Sequence, residues 1–202
     1  MTHHEKSPDD YCLTLGQELK AGRESLAEAK DAADPDEAVF LSGNHEYRLD
    51  RWIASGACPR AVVDMMPPNA KAGLRLVESG WRFLDRGDQP HVYRGIALHH
   101  GFWYGRHHAA KHADELAVDN LYGHTHRPQQ FTRMTMRGPV TATGSGCLRL
   151  LERDWEHMKA RPYCGWSHGI AILSHGAERT SVSNVLIENG RAEWGGINFR
   201  AR

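Results

Sequence analysis

The chain contains little cysteine and no long apolar segment. Only four of its 202 residues are cysteine, and they are far apart: Cys12, Cys58, Cys147 and Cys164. This spacing fits neither a zinc–cysteine site nor a dense disulfide framework, so we expect free thiols. No stretch approaches the roughly 20 apolar residues of a membrane helix, and residues 1–5 lack the basic and apolar parts of a signal peptide. We therefore expect a cytoplasmic protein that does not bind membranes.

An excess of one charge is also lacking. The 25 basic and 25 acidic residues give a net charge of zero, which argues against a broad surface for nucleic acid, so binding of a polyanion would be local. Histidine, in contrast, is abundant, with 14 residues, several of them in pairs. Because histidine is the commonest metal ligand in proteins, the places where it clusters are candidate metal sites.

The spacing of apolar residues predicts a layered α/β domain. In the first two thirds of the chain, helical periodicity predicts helices over residues 14–33, 47–54, 69–79 and 106–116. Short apolar runs between them predict strands over 37–41, 81–84, 95–98 and 118–122. From residue 129 onward, alternating runs predict antiparallel strands over 131–136, 140–143, 170–173 and 181–187. The chain then forms one domain, 1–202, with a helical lead-in (1–36), an α/β part (37–128) and a mainly β part (129–202).

Three of the predicted strands end in polar residues beside a glycine. Asn44-His45-Glu46 follows Gly43, His99-His100 precedes Gly101, and His124-Thr125-His126 follows Gly123. Ligands of open α/β sheets bind beyond the carboxyl ends of the strands, so we expect the three loops to converge on one site. Glycine lets each loop turn sharply, and in an extended His-x-His segment both rings point to the same side. An Asn oxygen beside imidazoles suits manganese or iron as well as zinc.

These three motifs, in this order, resemble the last three motifs of the calcineurin-like metallophosphoesterase family. The stretches at 144–147, 166–169 and 188–191 are further similar to the C-terminal sheet of phage-type members. The resemblance covers roughly residues 37 to 200. It implies a layered α/β sandwich that hydrolyses a phosphomonoester or phosphodiester bond.

The resemblance also implies a role for each motif residue. It implies four metal ligands: Asn44, His100 and His124 for one ion and His126 for the other. His45 would stabilise the phosphate or protonate the leaving oxygen, and Glu46 would orient His45. Two divalent ions about 3.5–4 Å apart would clamp the phosphoryl oxygens and activate a bridging water. Mn²⁺ is the ion that we favour, and Fe, Ni and Zn suit the same ligands.

The chain departs from the family in its first part. The family pattern has an Asp-x-His and a Gly-Asp-x-x-Asp before the third motif, and neither occurs here, so the second metal site is incomplete. Two explanations stay open: an upstream segment is absent from the sequence, which we favour, or the chain is a natural remnant with altered function. The first explanation would leave strand 37–41 with an open edge, so self-association or completion by an N-terminal segment is expected.

Other residues near the motifs have simpler interpretations. For residues 44–46 the alternative is a helix start, where Asn caps the helix and Glu favours the first turn. His107, His108 and His112 lie beside basic residues, and we expect them to be solvated. Trp166 is expected to be structural and to cover the sheet.

The sequence leaves the function open among three classes. We favour the phosphoesterase, with a nucleotide or DNA as substrate because of the phage-type resemblance. Arg48 and Arg127 flank the predicted site and are candidates to bind substrate phosphate, since a guanidinium binds phosphate through two hydrogen bonds. The alternative is a truncated domain that binds metal or phosphate without turnover, or one that a partner completes. A structural zinc site is less favoured, because Asn44 and His45 would then have no task.

Overall fold

The computed structural model describes residues 15–56, 67–148, 151 and 165–200. The chain is a mixed α/β protein that divides into two compact units, Met1–Asp88 and Gln89–Arg202. Within the described part, none of the helices is long and apolar enough to cross a membrane. Cys147 is a free thiol, as expected, and the other three cysteines lie outside the described residues.

The first unit is a two-stranded parallel sheet with helices. Its elements are α1 (Leu15–Ala33), β1 (Ala38–Leu41), α2 (Asn44–Ala54), α3 (Ala70–Gly73), β2 (Trp81–Leu84) and a 3₁₀ turn (Arg86–Asp88). Strand β1 pairs in parallel with β2, and the ring of Phe40 stacks on that of Phe83. Helix α1 has no fully buried residue, and Arg23 attaches it to the rest of the unit by donating to the Gly73 carbonyl at 2.7 Å.

The second unit contains two sheets. The first has five strands in the order β3-β4-β5-β7-β6, and its elements are β3 (His91–Tyr93), β4 (Ile96–His99), α4 (His108–Leu116), β5 (Asn120–Tyr122), β6 (Gln129–Thr135) and β7 (Gly138–Gly144). The central strands β4, β5 and β7 are parallel, and the outer two are antiparallel to their neighbours. The other sheet is antiparallel, with β8 (Gly169–His175), β9 (Thr180–Glu188), β10 (Arg191–Trp194) and β11 (Ile197–Arg200).

The core of the five-stranded sheet lies under helix α4. Ala109 and Ala113 of the helix are fully buried, and Ala113 packs with Tyr122, Val140 and Ala142 of the sheet. Small alanine side chains let the helix approach the sheet closely. The carboxyl ends of the parallel strands lie at one edge of this sheet.

Most predicted elements are present, with ends shifted by a few residues. The helix predicted over 69–79 is wrong beyond Gly73, because Arg75 takes a left-handed conformation with φ 51° that a helix cannot continue through. The prediction missed β3, β10 and β11. The last two follow Asn189-Gly190 and Gly195-Gly196, all four residues with positive φ, and such pairs are strong hairpin signals.

Candidate metal centre

The carboxyl ends of three parallel strands meet at one edge of the five-stranded sheet. The register pairs His99 with Tyr122 and Tyr122 with Gly144, so β4, β5 and β7 end side by side. His100 is the first residue after β4, and His124 is the second residue after β5. The predicted convergence of these two histidine loops is therefore present in the second unit.

His100 and His124 are in direct contact. His100 Nε2 lies 3.1 Å from His124 Nδ1, and the two rings meet at 64° with their centroids 5.0 Å apart. Two nitrogens bound to one metal at about 2.1 Å would lie roughly 3.0–3.4 Å apart, so this separation fits two ligands of a single ion. The same distance also suits a hydrogen bond when one of the nitrogens carries a proton. The pair can thus hold either a proton or a metal ion.

The turn that carries His124 and His126 is strained. Both residues have left-handed backbones, with φ of 65° and 56°. Thr125 N donates to the Gly123 carbonyl at 2.7 Å, which closes a γ-turn centred on His124. A left-handed conformation costs a residue with a side chain of the order of 1–3 kcal/mol, and such strain concentrates at functional sites. The expectation of an extended His-x-His segment is wrong, because the chain turns at both histidines.

A single glycine makes the close packing of this turn possible. Gly101 has φ 120°, and a Cβ atom there would lie 2.9 Å from His124 Cβ. Gly123 does not have a positive φ, and a Cβ atom added there would be in ordinary contact at 3.6 Å. Gly43 does not have a positive φ either. The sequence interpretation that glycine permits a sharp turn therefore applies to the residue after His100 and not to the glycines before the other two motifs.

The segment before β8 also contacts the turn that carries His124 and His126. Ser167 N donates to the His126 carbonyl at 2.9 Å, and the ring of Trp166 meets that of His126 edge-on with centroids 4.9 Å apart. Trp166 was expected to cover the sheet, and the structure brings it into contact with a predicted metal ligand. A position so far along the chain gave no sign of this contact in the sequence.

Arg127 holds a loop of the second unit. Its Nη2 donates to the Tyr104 carbonyl at 2.7 Å and lies 3.4 Å from that of Gly105. The guanidinium was predicted to bind substrate phosphate, but one of its nitrogens already donates hydrogen bonds to backbone carbonyls of the protein. Its position beside the loop that follows His100 still allows that role, which stays a prediction.

A second group of histidines lies beneath the edge. His99, His108 and His112 are 2%, 1% and 0% exposed, so the expectation that His108 and His112 are solvated is wrong. The reason is that they share the buried face of α4 with Ala109 and Ala113, whereas the charged residues occupy the other side. His108 and His112 are four residues apart, and so are Ala109 and Ala113. This i, i+4 spacing was the signal that could have indicated a buried face.

Burial keeps these imidazoles neutral. Burial lowers the pKa of His108 to about 4, and the positive charge of Arg127 acts in the same direction. Burial also lowers the pKa of His99 to about 3, although a contact with Asn120 raises this pKa. Burial also lowers the pKa of His112. His108 Nδ1 is 2.6 Å from the Tyr122 hydroxyl, whose pKa burial raises. The group is therefore a set of uncharged packing residues at neutral pH.

His112 connects the buried group to the edge. Its Nδ1 lies 2.8 Å from the His108 carbonyl and so carries the hydrogen, which leaves Nε2 as an acceptor. Nε2 accepts from Phe102 N at 3.0 Å and lies 3.4 Å from Trp103 N. The loop that follows His100 is thereby fixed to helix α4.

The first motif lies in the first unit, at the start of α2. Asn44 was predicted to end the strand, but β1 ends at Leu41 and Asn44 is the first residue of the helix. Gly43 is the N-cap, and its N–H donates to Glu46 Oε2 at 2.7 Å. His45 is exposed, whereas Asn44 and Glu46 are half-buried. The helix-start interpretation of this motif is thus confirmed for Glu46 and wrong for Asn44, because the N-cap is Gly43. The role of Glu46 in orienting His45 stays a prediction.

The first unit also carries carboxylates that the sequence interpretation overlooked. Asp85 directly follows β2 and accepts from the Ser42 hydroxyl at 3.0 Å. Burial raises the pKa of Asp50, and the negative charges of Asp85 and Glu46 act in the same direction, while the N–H of Ala70 opposes them. Even so, nowhere in the described ranges do three or more His, Cys, Asp or Glu side chains form a group that could hold a metal ion.

Comparisons with known proteins add no assignment. No protein-family model matches the chain, and no curated protein matches it either. The similarity to metallophosphoesterases therefore rests on the motif residues themselves.

Proposed function

We propose that the protein is a metal-dependent phosphoesterase of the calcineurin-like type, which hydrolyses a phosphomonoester or phosphodiester bond. The observation that carries the proposal is the contact of 3.1 Å between His100 Nε2 and His124 Nδ1 at the carboxyl edge of parallel strands. The left-handed backbones of His124 and His126 add support, because a chain maintains such strain where a function needs it. The first unit enters the proposal through residues 43–48, in the roles that the resemblance implies.

The residues fit one metal ion better than two. His100 and His124 would hold the first ion, with Asn44 as the further ligand that the resemblance implies, and His126 would contribute to a second. The described residues supply no group of three ligands, so the two-ion form depends on the resemblance alone. When bound, a divalent ion would polarise a phosphoryl oxygen and lower the pKa of a water molecule.

The resemblance assigns the remaining roles to residues of the first motif. His45, which is exposed, would donate a proton to the leaving oxygen. Glu46 is a positioning residue, since its hydrogen bond to Gly43 N fixes the turn that carries His45. Arg48 and Arg127 are the candidates for contacts with the phosphate.

A second candidate function is a domain that binds metal or phosphate without turnover. It is favoured by the lack of any Asp-x-His or Gly-Asp-x-x-Asp in the sequence, because two close cations need an anion between them. Completion by a partner is a variant of this candidate. Among the described strands, β1 and β2 pair only with each other, so each has an edge to which another strand could add.

The test is hydrolysis of bis-p-nitrophenyl phosphate and p-nitrophenyl phosphate with Mn²⁺, with metal content measured on the same sample. We expect His45→Ala to abolish turnover and keep the metal, and Asn44→Ala and His124→Ala to weaken both. His107→Ala is the matched control, because this histidine is exposed and its side chain makes no cap hydrogen bond. Equal metal loss in all three variants would contradict the assignment, and metal binding without turnover would favour the second candidate.

A further inference from the structure

Three consecutive aromatic residues, Phe102, Trp103 and Tyr104, follow the first histidine of the pair. The ring of Phe102 stacks on His99 with centroids 4.6 Å apart, and that of Trp103 meets His112 edge-on at 4.8 Å. Tyr104 is different, since it is 71% exposed. Two of the three rings are thus used for packing, and the third points its surface to solvent.

The exposed ring is presented by a fixed backbone. Phe102 N and Trp103 N face His112 Nε2, and the Tyr104 carbonyl accepts from Arg127 at 2.7 Å. His112 of helix α4 and Arg127, which follows the histidine turn, therefore both hold the backbone of this loop. Because the backbone is already held, a ligand that packs against the ring has to order only the Tyr104 side chain, which keeps the entropy cost of binding low.

The ring also lies next to the candidate metal centre. Its centroid is 5.9 Å from that of the His124 ring, and the planes meet at 68°. Single exposed apolar residues are common on proteins and need no explanation. An exposed ring that is fixed by its backbone and touches a candidate ligand is a more specific arrangement.

We propose that Tyr104 is a stacking surface for the nucleobase of a nucleotide whose phosphate lies at His100 and His124. The inference rests on the proposed function, because it takes these histidines as the place of the phosphate. A nucleotide carries its phosphate and its planar base one sugar ring apart, which suits a short distance from the histidine pair to an aromatic face. Stacking accepts any base, so Tyr104 would select nucleotides over other phosphate esters without reading sequence.

The experiment measures binding and does not depend on turnover. Equilibrium dialysis with Mn²⁺ compares the methylenephosphonate analogues of AMP and of ribose 5-phosphate, whose carbon–phosphorus bond is not hydrolysed. We expect the AMP analogue to bind more tightly, and Tyr104→Ala to weaken it about 10-fold to 100-fold while leaving the ribose analogue unchanged. Tyr104→Phe should retain the affinity, because it keeps the ring.

Tyr93→Ala is the matched control. Tyr93 is an exposed tyrosine on β3 of the same unit, and its substitution should change the affinity of neither analogue. The proposal is overturned if both analogues bind alike, or if Tyr93→Ala and Tyr104→Ala weaken them equally. Hydrolysis of bis-p-nitrophenyl phosphate and p-nitrophenyl phosphate is measured separately on the same protein. Tyr104-dependent binding of the AMP analogue with no hydrolysis of these two esters would overturn the proposed function and keep the base site. Their hydrolysis without a Tyr104-dependent preference for the AMP analogue would overturn the base site and keep the proposed function.

Discussion

The second unit contains two groups of histidines that differ in their surroundings. The edge group, His100, His124 and His126, follows strand ends and is half-buried. The buried group, His99, His108 and His112, is at most 2% exposed and packs under helix α4. The difference separates two environments for one residue type: burial keeps the imidazoles of the buried group neutral, and the edge group contains the metal ligands of our proposal.

The two groups are connected through one loop. His112 of the buried group accepts a hydrogen bond from Phe102 N, in the loop that starts at His100. We therefore expect changes in the buried group to reduce stability first, and changes in the edge group to reduce binding without loss of stability. Each prediction below perturbs one group and measures both properties.

The largest effect is expected for His112→Ala. The substitution leaves a cavity in the core and removes the acceptor of Phe102 N, so the free energy of unfolding should fall by about 3 kcal/mol. Urea unfolding measures the change. His107→Ala, at the exposed position before the helix, is the control and should alter stability by less than about 0.5 kcal/mol. A loss for His112→Ala no larger than that of the control would remove the distinction between the groups.

The buried group should also make stability depend on pH. The pKa of His108 is about 4 in the folded protein and is near its ordinary 6.5 in the unfolded chain, so between these values the unfolded chain binds more protons. Stability from this residue is complete above pH 6.5 and is lost as the pH falls to 4, by about 3 kcal/mol. His99 and His112 act in the same direction.

Urea midpoints measured between pH 4 and pH 8 test this pH dependence. His108→Gln should be less stable at pH 7 and should flatten the fall toward acid. If its profile runs parallel to that of the unchanged protein, His108 does not titrate as its burial requires.

A smaller effect is expected from the contact between Gly101 and His124. Gly101→Ala would place a methyl group 2.9 Å from His124 Cβ in an unfavourable backbone conformation, at a cost of about 2 kcal/mol. It should also weaken Mn²⁺ binding, because His124 must move. Gly123→Ala is the matched control and should have little effect on either property, since its new methyl group meets nothing closer than 3.6 Å. Equal effects of the two substitutions would show that the close packing at Gly101 does not matter.

The smallest effect has the opposite sign. His124→Gly should raise the free energy of unfolding by about 1 kcal/mol, because glycine takes the left-handed backbone at φ 65° without strain. The same substitution should remove Mn²⁺ binding. A gain in stability with a loss of binding is the pattern of a strained functional residue, and a loss of stability would mean that the His124 ring itself supports the turn.

Much of the fold could be predicted from the sequence. The strand over 81–84 has the predicted bounds, and the central strands were found within a few residues, because short apolar runs between glycines leave few alternatives. The same runs indicated which loops carry the histidines of the edge group. The hairpins β9-β10 and β10-β11 could also have been found from their turn residues.

The details of the site could not be predicted in the same way. Which glycine is needed depends on how closely Gly101 approaches His124, and that distance is a property of two strands that are remote in sequence. The left-handed backbones of His124 and His126 could not be read from the sequence, because residues with a side chain seldom have positive φ, and the enrichment of histidine there does not say which histidines adopt it. The burial of His108 and His112 depends on which face of α4 meets the sheet, and the nearby basic residues pointed to the wrong answer.

The central claim is that the edge group binds a metal ion and the buried group does not. Equilibrium dialysis of Mn²⁺, together with urea unfolding, tests it most directly on the unchanged protein and on His100→Ala, His124→Ala and His108→Gln. We predict that the first two variants lose at least about 10-fold in Mn²⁺ affinity without loss of stability, and that His108→Gln loses stability but keeps its affinity. Unchanged affinity in His100→Ala and His124→Ala, or a loss confined to His108→Gln, would contradict the account.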